Sequence, residues 1–318
     1  MRIEYHRTLI ADKVRNAAFC KALAQVIVPG KTIVADIGAG TGLLGLMASR
    51  LGAKQVYLYE TAAVAGVAAQ ILKANKAKNC QLFACHSTEF QDPPKVDVVV
   101  SETLGNYALE ENIIATLADA RARHLRPGGI LLPSRIEQFV APVVTSRLHE
   151  ELNVWDSAGA GLNLGVGLNL EIAKAMSFNN VYVRQIKTSE LLDGGASGTI
   201  WDTIDLMKDA RTKRRGEVSW TASQPAKIYG FAYWWNAHLT PGLGLSTAPG
   251  APPTHWEQLY FPLLNPLELS KNHSVSVSLR SASSEEAGTH LSWSAVHKNA
   301  KGRTVDRQAL DLDKGYLP

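Results

Sequence analysis

The sequence predicts an α/β protein in two parts, a doubly wound parallel sheet over residues 1–132 followed by an antiparallel, β-barrel-like region over residues 133–318. Three observations predict it. Before Pro133, apolar β-branched runs alternate with amphipathic stretches, the pattern of a parallel sheet with helices on both faces. The first such run leads into a glycine turn of Gly38, Gly40 and Gly42, as in Rossmann-like folds. Beyond Pro133, short segments rich in Val, Tyr, Trp and Ser recur between turn signals, which suits a sandwich or barrel.

In chain order, a helix is expected from about Thr8 to Val28. The strand Thr32–Ala35 runs into Asp36 and the glycine turn, and a helix follows from about Gly42 to Leu51. A second strand, Gln55–Tyr59, ends in Glu60. Strands are expected near Gln81–Ala84 and at Val96–Val100, then a helix from about Glu110 to His124 and a strand at Ile130–Leu132. The second region carries strand patterns at Lys227–Trp235, Gln258–Phe261, Ser274–Leu279 and His290–Val296. The aromatic run from Tyr229 to Trp235 reads as interior packing rather than a ligand cage. Between Ser157 and Phe178, glycine and leucine alternate with little charge. An apolar segment of this kind fits a dimerisation arm at about residues 150–195, or a loop folded over its own barrel.

Composition excludes several classes. Hydrophobic residues make up 46% and charged residues 19% of the 318-residue chain, a globular balance. The opening MRIEYHRTLI has no apolar core of a secretory signal, and no run of about 18 apolar residues occurs, so a membrane partner is not expected. Cys20, Cys80 and Cys85 form no even framework, which suits reduced thiols in the cytoplasm. With His86, two of them lack a fourth metal ligand, and no metal is expected. The net charge of +4 is dispersed except at Arg211, Lys213, Arg214 and Arg215, which read as a solvated loop rather than a nucleic-acid patch.

The chemistry concentrates in two stretches. Glycines let the backbone approach a ligand closely, and an acid at the end of the second strand, here Glu60, can accept both ribose hydroxyls. The spacing is GxGxG, with Leu43 where a dinucleotide site would place its third glycine. Asp36, the glycine turn and Glu60 therefore point to S-adenosylmethionine. The second stretch is SETLGNYALEE, which puts Glu102 at the end of a buried strand and Glu111 where a helix begins. Two carboxylates so placed suit a planar cation, of which a guanidinium, with forked donors and a pKa of about 13.8, is one. They can aim one nitrogen at a methyl group and offset repulsion from a sulfonium, about 4 kcal/mol for charges ~4 Å apart at an effective dielectric of ~20. Glu110 could be the second acid instead. Helix-start acids, a surface pair of Asp12 with Arg15 and an interior His255 are the plainer alternatives.

Across nearly its whole length, the chain resembles the protein arginine N-methyltransferases. The likeness rests on YHRTLIADKVRNAAF, the glycine block with Asp36 and Glu60, VDVVVSETLGNYALEE and LSTAPGAPPTHWEQ, in that order. It implies a class I S-adenosylmethionine-dependent enzyme acting as a homodimer. His6, Arg15, Asp36, Gly38, Gly40, Gly42, Glu60 and Glu102 would then bind the cofactor, with Glu89 or Thr88 on the adenine. Glu102 and Glu111 would hold the acceptor guanidinium, Trp256 would wall its slot, and His255 paired with Asp12 would relay the released proton. The acceptor would be arginine in a peptide or the free amino acid. An inactive dimeric scaffold is the competing expectation. The sequence departs from the family at the N-terminal lid helix, which has no counterpart ahead of His6, and at Leu9, Thr103 and Leu104.

Overall fold

The computed structural model describes residues 3–156, 168–284, 286 and 288–312. Two helices open the chain, α1 (Ile3–Ala11) and α2 (Lys13–Val26), where one was expected. Asp12 breaks them: its backbone is extended, at φ −73° and ψ 95°, and its carboxylate accepts the Arg15 N–H at 2.8 Å. An N-cap aspartate stabilises the start of the following helix, so a new helix begins rather than the old one continuing.

The strands β1 (Ile33–Ile37), β2 (Gln55–Tyr59), β3 (Cys80–Phe83), β4 (Val96–Ser101) and β5 (Leu125–Leu132) form a parallel sheet in the order β3-β2-β1-β4-β5. Helices α3 (Leu43–Arg50), α4 (Ala65–Ala74) and α5 (Ile113–Arg123) connect them. The strand order reverses at β1, whose neighbours are β2 and β4. Such a switch point opens a crevice at the carboxyl ends of the strands. The register pairs Ile37 with Ser101, which sets Gly38 and Glu102 side by side at that crevice.

The second region starts with β6 (Arg135–Val143), followed by α6 (Arg147–Leu152), α7 (Glu171–Phe178) and strands β7 (Tyr182–Arg184), β8 (Thr199–Asp205), β9 (Lys213–Thr221), β10 (Ala226–Thr240), β11 (Leu243–Ser246), β12 (Gln258–Leu269), β13 (Ser274–Ser284), β14 (Gly288–Lys298) and β15 (Thr304–Asp311). They make one sheet in the order β7-β12-β10-β6-β8, with β11 paired to β10, and a second in the order β15-β14-β13-β9. Among the described residues no ladder closes these sheets into a ring. They meet at β8 and β9, where Gly216 lies so near Trp201 that an added Cβ would stand 2.1 Å from its carbonyl oxygen.

The basic run at 211–215 is not the expected loop. β9 starts at Lys213, and strand alternation turns Lys213 and Arg215 outward and Arg214 inward. Arg214 forms a bidentate pair with Asp202 of β8 at 2.8 and 2.6 Å. Much of the proposed arm, residues 157–167, lies outside the described residues. The described part includes α7, whose Ile172 and Met176 are exposed. Among the described residues, no helix is long and apolar enough to cross a membrane. The apolar interior is continuous from Val98 and Leu117 of the parallel sheet to Trp235 and Trp256 of the antiparallel region.

Candidate active site

A cavity of about 310 Å³ opens at the carboxyl ends of β1 and β4, floored by the glycine turn and roofed by α1. Gly38, Gly40 and Gly42 all have positive φ. At Gly38 this freedom is needed twice over, because a Cβ there would lie 2.6 Å from the Thr103 methyl.

Two acids shape the turn. Asp36 is 1% exposed and accepts the Gly45 N–H at 2.7 Å, tying β1 to the first turn of α3. Burial pushes its carboxyl up to about 7. Glu60 accepts the Gly40 N–H through one oxygen and the Ala62 N–H through the other, both at 2.7 Å. It lines the cavity together with His6, which is buried and whose ring burial holds toward the neutral form.

Glu102 and Glu111 line this same cavity, at the two ends of the 102–111 loop. Their states differ. Glu102 is paired with Arg15, whose Nε donates to Oε2 at 2.5 Å and whose Nη2 makes a second short contact to the same oxygen. Its Oε1 accepts the Leu104 N–H at 3.2 Å. Sequence gave no sign of the Arg15 pair, which spans 87 positions. Arg15 still lines the cavity, with Nη1 donating to Asn16 at 2.7 Å.

Glu111 makes no hydrogen bond or ion pair among the described residues. Its pKa is pushed up to about 6 by partial desolvation, then by repulsion from Glu102, Glu110 and Glu60. The residue also reaches solvent at the cavity mouth, which moderates the desolvation share but leaves the clustering of acids intact. Glu110, the other possible second acid, is committed elsewhere. It accepts the Tyr107 N–H at 3.0 Å and packs on Gly105, so it braces the loop from within.

His255 and Asp12 meet as expected, with His255 Nδ1 and backbone N each 2.8 Å from one Asp12 oxygen. The pair does not line the cavity; it locks the start of α2 to the 254–256 segment. Trp256, expected as a slot wall, is also set back. Its indole donates to the Leu104 carbonyl at 2.9 Å and packs on Trp235, so it supports the glutamate loop from behind.

The adenine candidates stand apart from this cavity. Thr88 and Glu89 are exposed and off the cavity, which is lined there by Cys85, His86 and Ser87. Arg123 explains the turn: it donates to the carbonyls of Ser87 and Phe90 at 2.8 and 2.7 Å, drawing 85–87 inward and leaving 88–89 facing solvent. Sequence passed over Tyr5 and Thr116, and noted Leu9, Thr103 and Leu104 only as departures from the family pattern; all five line the cavity. Tyr5 and Leu9, four apart on α1, share a helix face, a signal available from spacing. Burial and the nearby Glu102 and Glu111 raise the Tyr5 phenol above its ordinary value, a mark of the electronegative mouth.

A profile described as the arginine methyltransferase oligomerization subdomain matches residues 135–298. A probable protein arginine N-methyltransferase 6.1 of Oryza sativa subsp. japonica is 30% identical over 89% of this chain and 80% of its own length. The chain belongs to the protein arginine N-methyltransferase family. Protein arginine N-methyltransferase 6 of Xenopus tropicalis is 26% identical over 91% of this chain and 86% of its own. A profile described as ribosomal protein L11 methyltransferase also matches residues 17–158. Among solved folds, the Trypanosoma brucei PRMT1 enzyme-prozyme heterotetrameric complex with AdoHcy superimposes with a TM-score of 0.84, at 23% identity and 98% coverage of both chains. Arabidopsis thaliana protein arginine methyltransferase 10 gives 0.80 at 19% identity, also with 98% coverage of both.

Membership makes this an S-adenosylmethionine-dependent methyltransferase, and the cavity fits that cofactor on its own terms. Its volume is at the lower end of small-molecule sites, about 300–1,000 Å³. The open glycine cradle, an acid at the end of β2 and a cation in Arg15 are the donors and acceptors that a ribose and an amino-acid carboxylate require.

Proposed function

We propose that this chain methylates a guanidino nitrogen of arginine, in a peptide or as the free amino acid, and acts as a homodimer in the cytoplasm. What carries the proposal is the placement of Glu102 and Glu111 at one cavity mouth directly beside the glycine turn. The matched oligomerization profile and the exposed Ile172 and Met176 support the dimer. The free Cys20, Cys80 and Cys85 support a reducing compartment.

When bound, S-adenosylmethionine supplies an electrophilic methyl on a sulfonium. Glu60 would take the ribose and Arg15 the carboxylate, while His6 and the glycines close around the remainder. For the acceptor, lone pairs decide the division of labour. A carboxylate has roughly four acceptor sites. Arg15 occupies two on Glu102 and Leu104 a third, so Glu102 accepts a single further N–H, whereas Glu111 is free to grip two. Glu111 therefore orients the head group and Glu102 fixes its second edge. The proton released after transfer would pass to Glu111, the carboxylate already bonded to the head group. His255, expected as the relay, is turned to Asp12 one layer back.

The pH dependence follows. Glu111 carries its charge above about 6 and loses it below, so guanidinium capture weakens as pH falls through that value. We expect kcat/KM to drop about tenfold per unit below pH ~6 and to level above it. A flat profile across that range would remove Glu111 from the role.

Acceptor identity is tested by offering labelled methyl donor with an arginine-rich peptide pool and, separately, with free L-arginine, and weighing the products. Label in the peptides assigns a protein acceptor, and label in arginine assigns a small-molecule one. Label in neither, nor in other guanidines, overturns the proposal in favour of the dimeric scaffold.

A further inference from the structure

We propose that Tyr233 and Gln138 are positioning residues for methyl transfer, acting through a chain of buried hydrogen bonds that fixes the loop between Glu102 and Glu111. The proposal rests on the assignment of Glu111 to the acceptor.

The loop holds itself only in part, through the Leu104 and Tyr107 N–H groups given to Glu102 and Glu110. Leu104, Gly105, Tyr107, Ala108 and Leu109 are buried, so their backbone polar groups need partners. The antiparallel region supplies several of them. Trp256 donates to the Leu104 carbonyl at 2.9 Å and Trp235 to the Gly105 carbonyl at 3.1 Å. Asn106 Oδ1 accepts the Glu257 N–H at 2.9 Å. Ser283 and Thr289 donate to the Leu109 carbonyl at 3.3 and 3.1 Å. Of these ties only one takes a backbone N–H of the loop. The Tyr233 phenol accepts from Ala108 at 3.4 Å, three residues before Glu111.

That tie is the end of a longer chain. The Tyr233 O–H donates to Gln138 Oε1 at 2.9 Å, and Gln138 Nε2 donates to Asp202 at 2.8 Å. Asp202 also takes the bidentate pair from Arg214. Every donor from Ala108 onward points the same way, toward the Asp202 carboxylate. Aligned bonds of this kind polarise one another, and burial strengthens each of them. Tyr233 and Gln138 are both 0% exposed, so water cannot replace a lost partner. The Gln138 amide has one workable orientation, since a flip would set its NH2 against the phenol donor and its oxygen against a carboxylate. Burial keeps the phenol protonated, so it remains available as the donor this chain needs. The Tyr233 ring adds a packing contact to Tyr107, centroid to centroid at 5.0 Å.

The geometric consequence is that Ala108, and the carboxylate three residues on, take their place from two sheets of the antiparallel region. Asp202 belongs to the first sheet and Arg214 to the second, so the chain registers both against the loop. Neither Tyr233 nor Gln138 lines the cavity, and neither is assigned contact with acceptor or cofactor.

Tyr233→Phe removes one oxygen, which leaves the Ala108 N–H without its acceptor and takes from Gln138 Oε1 the phenol that donates to it. A carboxylate displaced by a fraction of an ångström misaims the nitrogen, so kcat is expected to fall on the order of 10- to 100-fold. Affinity for S-adenosylhomocysteine should stay within about twofold, because the glycine turn, Glu60 and Arg15 have no link in the chain. Phe231→Leu on the same strand, a buried residue bonded to nothing in the loop, is the control for general loosening. Hydrogen exchange gives a readout independent of turnover: amides of residues 104–111 should exchange faster in Tyr233→Phe and not in Phe231→Leu, with those of 36–45 unchanged in both. Gln138→Met, which cuts the chain one bond further away, should do the same and serves if Tyr233→Phe does not fold. Unaltered exchange at 104–111, or a kcat loss no greater than that of the control, overturns the proposal. If the unmodified enzyme methylates no guanidine at all, the acceptor assignment fails, and exchange still reads the chain.

Discussion

Glu111→Gln is expected to lower kcat by on the order of 10²–10³-fold while S-adenosylhomocysteine binding stays within about twofold of the unmodified enzyme. The substitution keeps size and removes charge from the acid at the mouth that, among the described residues, no other side chain or backbone group engages. Nothing in the glycine cradle depends on it. The acidic limb of the pH profile should vanish with it, since that limb is assigned to this group. Turnover within about threefold of the parent would place the acceptor elsewhere. Glu102→Gln is a less selective probe. Its carboxylate also neutralises Arg15 in a buried setting, so its loss should weaken cofactor binding as well as turnover.

The second large effect is structural. Arg15→Leu strands the Glu102 carboxylate, whose side chain is only 3% exposed, without its cation. Breaking a buried pair by removing one partner costs about 3–5 kcal/mol, most of it the penalty of the unpaired charge. In a chain of this size that corresponds to a fall in melting temperature of about 4–8 °C. Activity should disappear in parallel. A melting temperature within about 2 °C of the parent at neutral pH would mean that water reaches Glu102 and the pair contributes little.

The parallel sheet could be read from the sequence because its central strands β1, β2 and β4 are short apolar runs closed by a chemically distinctive residue. Asp36, Glu60 and Glu102 fall where β1, β2 and β4 end, and a switch-point fold brings those ends together whatever the side chains. Glu111 was legible through spacing and family likeness, and its choice over Glu110 needed the backbone path that turns Glu110 onto Tyr107. The missed features depend on partners far away in the chain. Asp12 ends α1 in part because His255, 243 positions on, shares its carboxylate. Glu89 faces solvent where Arg123 holds the carbonyls of Ser87 and Phe90, a local tug without any periodic signature. In β9, alternation was hidden by charge: Arg214 points inward only because Asp202 is there to meet it. Periodicity reports which face a residue takes, and it carries no record of which distant group will neutralise it.

Asp12 has a consequence for how the cavity can be entered. One carboxylate oxygen receives the Arg15 N–H and starts α2, and the other holds both the ring and the backbone of His255. The joint at the base of α1 is thus bolted to the far half of the protein, while the roof over the glycine turn lies upstream of it. Any opening of that roof has to pivot on a fixed pin at Asp12, leaving the loop from Glu102 to Glu111 beneath it in place.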